Sequence, residues 1–278
     1  MKIDIRNALT INNCSDAIVL STRLYNSAYS DNEIRMLYAS AHACNMGIQL
    51  YDLIDQITSA SLNSPDAIFK SLVKIFPSRT ALDTRLQSGW FAQDALQSIL
   101  KPGSVVASND ANPSSANNPG SVLSRDRTDD ANMYLTFVAM GEVGTSLNRY
   151  GYNASDDPAA MGYAQSILIP FDSQALIKAD ASGAGCSLAS GLLNMFDGIR
   201  SVITLVSGST SASLNNILTN LETVTLLAGK NACTTDGFSS NQCDAAAQRL
   251  RYRASCTESD SIASFAGGIV NGINLGWQ

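Results

Sequence analysis

Charge is scarce in this sequence. Only 15% of its 278 residues are Asp, Glu, Lys or Arg, and the balance is acidic, with a net charge of −6. Holding a nucleic-acid backbone takes clustered Lys and Arg that displace counterions, so both the shortage and the sign of the charge argue against nucleic acid as a partner. Histidine is scarcer still, His42 being the only one. The six cysteines include no Cys-x-x-Cys pair, and with a single histidine they do not make a zinc site. Long apolar runs are missing as well: no stretch reaches the ~18 residues of a membrane span, and the most apolar candidate, residues 187–206, is interrupted by Asp197 and Arg200. No transmembrane segment is therefore expected. Period-two alternation persists nowhere, which leaves no basis for strands.

What remains is a chain rich in Ser, Asn, Ala and Thr with an even number of cysteines. An uncharged polar surface and cysteines suited to bridging point to export into an oxidising compartment, periplasmic or outer-membrane-associated. Residues 1–6 carry charge but no apolar stretch follows them, so they are not a signal peptide. Export then implies a leader outside this sequence, where an N-terminal lipid anchor would be invisible.

The clearest architecture lies in residues 15–51. Ala17, Leu20, Leu24 and Ala28 fall on one helical stripe, and Ile34, Leu37, Tyr38, Ala41, Ile48 and Tyr51 on another. Between them Ser30-Asp31-Asn32-Glu33 reads as a capping box, with Ser30 as the cap and Glu33 reaching back to it. The hairpin therefore turns near Tyr29. Cys14 and Cys44 are equally far from that turn and should face each other in a disulfide.

Further helices are expected over residues 64–77, opened by Ser64-Pro65 and stopped by Pro77, and over 80–100, with Leu82, Leu86, Phe91, Leu96 and Ile99 inward and Trp90 in the core. Residues 101–127 change character, with Pro, Gly, Ser and Asn replacing large apolar side chains. This segment reads as a loop or linker between an N-terminal helical half, residues 1–100, and a C-terminal one, residues 128–278, unless it is an excursion from one continuous domain. Helices then follow from Thr128 to about Gly151, from Asp157 to Ile169, and over residues 183–206, where Asp197 and Arg200 are spaced to pair. Ser207-Gly208-Ser209-Thr210 makes a turn, and Leu214, Ile217, Leu218, Leu221 and Val224 bring the chain back to Gly229; a polar loop over residues 231–241 and a helix over 244–253 follow. An imperfect, glycine-interrupted helix closes the sequence over 262–273. The fold class is all-α, an irregular array of antiparallel helical hairpins stapled by disulfides. For the remaining cysteines, Cys233 and Cys243 close a local loop and leave Cys186 with Cys256. The rival pairing, Cys186 with Cys233, leaves Cys243 and Cys256, which a continuous helix would hold ~20 Å apart.

No residue set assembles a catalytic, cofactor or metal site. His42 lies in the small-residue run Ala39-Ser40-Ala41-His42-Ala43-Cys44 and reads as a packed or rim histidine. Gly183-Ala184-Gly185-Cys186 lacks the Lys-Ser/Thr of a phosphate loop, and Asp129-Asp130 and Asp156-Asp157 sit where helix caps belong. Glu142, between Gly141 and Gly144, is either a buried acid or, on the plainer reading, a partly exposed or arginine-paired one. Arg249, Arg251 and Arg253 read as a solvated helix face.

Ala17-x-x-Leu20-x-x-x-Leu24-Tyr25, followed by Arg35-x-x-Tyr38-Ala39-x-Ala41, resembles the hairpin of tetratricopeptide-type helical proteins. With the signs of export, the chain is similar to helical periplasmic lipoproteins that use such folds. That resemblance implies an interaction or solute-handling scaffold, and it identifies no catalytic residues. The expectation is a non-catalytic, exported interaction protein of the bacterial cell envelope with a protein partner. The alternative is a periplasmic binding protein for an apolar or amphiphilic small molecule held between helices.

Overall fold

The structure is a computed structural model of the chain, and it describes residues 1–28, 31–48, 72, 82–100, 125–150, 184–203, 209–252 and 259–275. Among these residues every regular element is a helix: α1 (Lys2–Thr10), α2 (Cys14–Ala28), α3 (Asn32–Met46), α4 (Leu82–Leu100), α5 (Arg125–Tyr150), α6 (Ala184–Ile203), α7 (Ser209–Thr235), α8 (Ser240–Arg249) and α9 (Asp260–Leu275). The fold is all-α and disulfide-stapled. The helices expected over 64–77 (Leu72 apart) and from Asp157 to Ile169 lie outside the described residues, as do residues 101–124, Arg253, Cys256 and residues 276–278.

Sequence reading missed α1, which buries Ile5 and Ala8 against α2 and α3 and ends where Asn12 adopts a left-handed backbone at φ 57°. This helix also changes how α3 begins. The cap is Asp31, not Ser30: its carboxylate accepts from the backbone N–H of Glu33 at 2.8 Å and of Ile34 at 3.4 Å. Glu33 does not need to reach back, because Lys2 and Arg6 of α1 hold its carboxylate. Lys2 binds Asp31 at 2.8 Å and Glu33 at 2.6 Å. The hydrogen bonds from Lys2 keep both carboxyls below their ordinary range. Chain-distant α1 thus clasps the start of α3.

Cys14 and Cys44 are bridged with Cα atoms 5.4 Å apart, so α2 and α3 run antiparallel as the spacing predicts. The second helix is shorter than its stripe. Gly47, at φ 84°, is a left-handed C-cap that turns its own N–H to Cys44 and the Ile48 N–H to Ala43, ending α3 at Met46 rather than Tyr51.

Three cores follow from the pairing of helices. Ile5, Ala17, Leu37 and Ala41 join α1, α2 and α3. Tyr25, Tyr38, Leu96, Ile99, Leu135 and Val138 join α2 to α5, so apolar side chains from both sides of residues 101–127 share one cluster. The largest joins α5 through α9 and takes in Leu72. On α4, Leu86, Leu96 and Ile99 are inward as expected, whereas Trp90 is half-buried and Phe91 is 41% exposed.

Glycine decides the spacing of the later helices. Gly229 was expected to end its helix, but α7 continues through it to Thr235. Its missing side chain makes room for Phe265: a Cβ there would stand 2.6 Å from that ring. On α9, which is continuous despite its glycines, a Cβ at Gly268 would stand 2.5 Å from the Ala232 Cβ and 2.6 Å from the Ala228 carbonyl oxygen. Gly272 similarly faces Ala228, which fixes α7 and α9 as antiparallel and nearly in backbone contact. Gly268→Ala is accordingly expected to destabilise the protein by about 1–3 kcal/mol, because overpacking outweighs the roughly 1 kcal/mol that alanine contributes to helix propensity. Urea denaturation measures this, and a stabilised variant would refute the close approach.

The helix expected over residues 244–253 starts earlier and stops sooner. Ser239 and Gln242 form a reciprocal capping box that opens α8 at Ser240, and the helix ends at Arg249. Cys233 and Cys243 are bridged across this corner with Cα atoms 5.8 Å apart.

Candidate functional site

Small residues bring α4, α5 and α6 together. Gly191 and Gly198 of α6 face Val143 and Thr136 of α5, and Gly89 of α4 faces Glu142. Glu142 is fully buried, so the expectation of partial exposure is corrected. Its side chain lies between Gly89 and Gly191 beside Met46 of α3, a place open to it because neither glycine carries a Cβ. Thr145 and Ser146 are buried one turn further along α5, with no hydrogen-bond partner for either hydroxyl among the described residues.

Next to this pocket of small side chains runs a seam of amides between α4 and α6. Gln93 and Gln97, one turn apart on α4, are both fully buried. Asn194 of α6 stands between them, donating to the Gln93 side-chain oxygen at 2.6 Å and accepting from the Gln97 amide nitrogen at 2.6 Å. The same Asn194 nitrogen donates to the Arg251 carbonyl at 2.9 Å, and the Ser190 hydroxyl reaches that carbonyl at 3.4 Å. Tyr252 donates to the Gln97 carbonyl at 3.4 Å. The turn after α8 is thereby tied to α6 through the Arg251 carbonyl and to α4 through the Tyr252 hydroxyl.

The Arg251 side chain adds the charged part of the seam. Its Nε meets Asp197 at 2.6 Å, a terminal nitrogen meets the other carboxylate oxygen at 3.1 Å, and a third N–H caps the Ala247 carbonyl at 2.7 Å. Arg251 was expected on a solvated helix face; it is instead beyond the helix end and 14% exposed. The described ion-pair partner of Asp197 is Arg251, while the Arg200 side chain lies outside the described residues. Arg35 of α3 is fully buried too and donates to the Ser98 carbonyl in the last turn of α4 at 2.9 Å. A cation there complements the carbonyl end of the helix.

No protein-family pattern, no curated protein and no solved structure matches the chain.

His42 lies in an aromatic cluster. Tyr25 stacks on Tyr38 with centroids 4.2 Å apart, Tyr38 meets the edge of His42 at 4.4 Å, and Phe91 lies 4.9 Å from His42. The imidazole is 5% exposed, and neither ring nitrogen has a hydrogen-bond partner among the described residues. This is the packed histidine that the sequence reading favours. Burial lowers its pKa from 6.5 to about 4. Protonation is therefore easier in the unfolded chain, and the stability due to neutral His42 is complete above pH 6.5 and lost as pH falls toward 4. Between pH 7 and 4.5 this loss amounts to about 2–3 kcal/mol. Urea titrations at the two pH values, compared with His42→Leu, measure it, and equal pH dependence in the two proteins would show that His42 does not carry the loss.

Of the six cysteines, Cys14 with Cys44 and Cys233 with Cys243 form the described bridges. Cys186 is also disulfide-bonded, and its expected partner Cys256 is outside the described residues. Among the described residues, no group of three or more His, Cys, Asp or Glu is placed to hold a metal. No helix among them is long and apolar enough to cross a membrane. Arg35, Gln93, Gln97, Asn194 and the Asp197–Arg251 pair escaped sequence reading. The available signal was a polar side chain within a long apolar run, as with Asn194 between Leu193 and Met195.

Proposed function

We propose that the chain is an exported, non-catalytic interaction protein of the bacterial cell envelope, which holds a protein partner on a rigid helical scaffold. The observation that carries the reading is the pair of bridges, Cys14–Cys44 and Cys233–Cys243, since such bonds persist in oxidising compartments. The tetratricopeptide-like hairpin agrees with a scaffold role, and helical hairpins offer grooves and faces to partner peptides. Ile3, Ile11 and Val19 are apolar side chains left exposed on and around α1 and α2. A small apolar ligand between helices is disfavoured at α4 and α6, where the amides of Gln93, Asn194 and Gln97 fill the interface.

The test is fractionation of the native host after rapid alkylation, followed by purification of the chain from the envelope under mild crosslinking. Cysteines that resist alkylation until reduced and a single stoichiometric protein partner, lost on Ile3→Glu and Val19→Glu, are the expected result. A cytosolic chain with free thiols would overturn the export reading. A turnover activity abolished by Glu142→Gln would overturn the non-catalytic one.

A further inference from the structure

The described bridges have different surroundings. Cys233 and Cys243 are fully buried in the core of α5 to α9, and Cys186 is 1% exposed. Cys14 and Cys44 are only half-buried, beside the exposed residue Asn12, whose side-chain oxygen lies 3.7 Å from the Cys14 sulfur and 3.4 Å from that of Cys44. Of the two described bridges, this is the one that the buried core does not enclose.

The hairpin also makes its two sulfurs unequal. Antiparallel packing sets the first residue of α2, Cys14, beside the last turn of α3, which holds Cys44. Helix N-termini carry partial positive charge and C-termini partial negative charge. A thiolate is thus better supported on Cys14 than on Cys44, and the better-supported thiolate is the better leaving group. Asp16 in the same turn opposes this, but its carboxylate accepts a hydrogen bond from the Asn13 side chain at 2.7 Å.

We propose that Cys14–Cys44 is a site of thiol–disulfide exchange, attacked by an external thiolate at the Cys44 sulfur. The external thiol loses its proton to solvent, and its sulfur forms a bond to Cys44 Sγ. The Cys44–Cys14 bond breaks, and its electron pair leaves on Cys14 Sγ. The external thiol is oxidised into a mixed disulfide on Cys44 while Cys14 is reduced. Ile5, Ala17, Leu37 and Ala41 still hold α1, α2 and α3 together.

The experiment uses the native full chain and glutathione as the probe, with timed acid quenching, alkylation of free thiols and peptide mapping. The expected early product carries glutathione on Cys44 and the alkyl group on Cys14, with Cys233–Cys243 exchanging at least about tenfold more slowly because its sulfurs are inaccessible. Glutathione appearing first on Cys14, equal exchange at Cys233–Cys243, or no exchange until denaturant is added would each overturn the proposal.

Discussion

Replacing Arg251 with methionine is expected to lower folding stability by about 3–5 kcal/mol, the range seen when one partner of a buried ion pair is removed. Asp197 and Arg251 are each 14% exposed and meet through two hydrogen bonds at 2.6 and 3.1 Å. Without the guanidinium, the Asp197 carboxylate keeps the Gln97 amide at 3.4 Å but loses both charge-assisted hydrogen bonds from Arg251. The Ala247 carbonyl loses its cap as well. The double substitution Asp197→Leu with Arg251→Met should be less damaging than the single change, because the carboxylate that Arg251 binds is removed together with it. Urea denaturation of the four proteins gives the coupling energy directly. If the single variant lies within about 1 kcal/mol of the wild type, the pair is solvated and its role in docking the turn after α8 is wrong.

Removing the bridge between α2 and α3, by Cys14→Ser together with Cys44→Ser, should lower stability by about 3–4 kcal/mol. The bridged residues are 30 apart in sequence, and in the chain-entropy account the cost is set by the loop freed in the unfolded chain rather than by a lost native contact. The native helical signal should therefore be unchanged at low urea, since the apolar contacts of α1, α2 and α3 remain. The midpoint should fall. A loss of helicity before any denaturant is added would mean that the bridge, not the core, holds α2 against α3.

These two expectations draw on different levels of information. The Cys14–Cys44 bridge was legible because a helical hairpin is local: two apolar stripes and a turn place residues equidistant from the turn side by side. The Asp197–Arg251 pair was not legible, because it forms between α6 and a turn 54 residues later, and spacing along one helix says nothing about which distant segment arrives there. Gly229 and the glycines of α9 mislead for the same reason. Local rules assign glycine to a helix end, whereas here it admits a neighbouring backbone. Some errors were avoidable, since Ser239-x-x-Gln242 and Gly47 follow ordinary capping chemistry.

The sequence by itself determined the all-α class, the register of the α2–α3 hairpin with its bridge, and the packed state of His42, all of which follow from periodicity, turn chemistry and the size of neighbouring side chains. Only the tertiary structure decided that α1 clasps the α3 cap through Lys2 and Arg6, that Glu142 is enclosed by glycines of two other helices, and that Gln93, Asn194, Gln97 and Arg251 form one seam. A helix is specified by interactions within a few residues. A buried polar group is specified by whichever group reaches it, and here that partner comes from another helix.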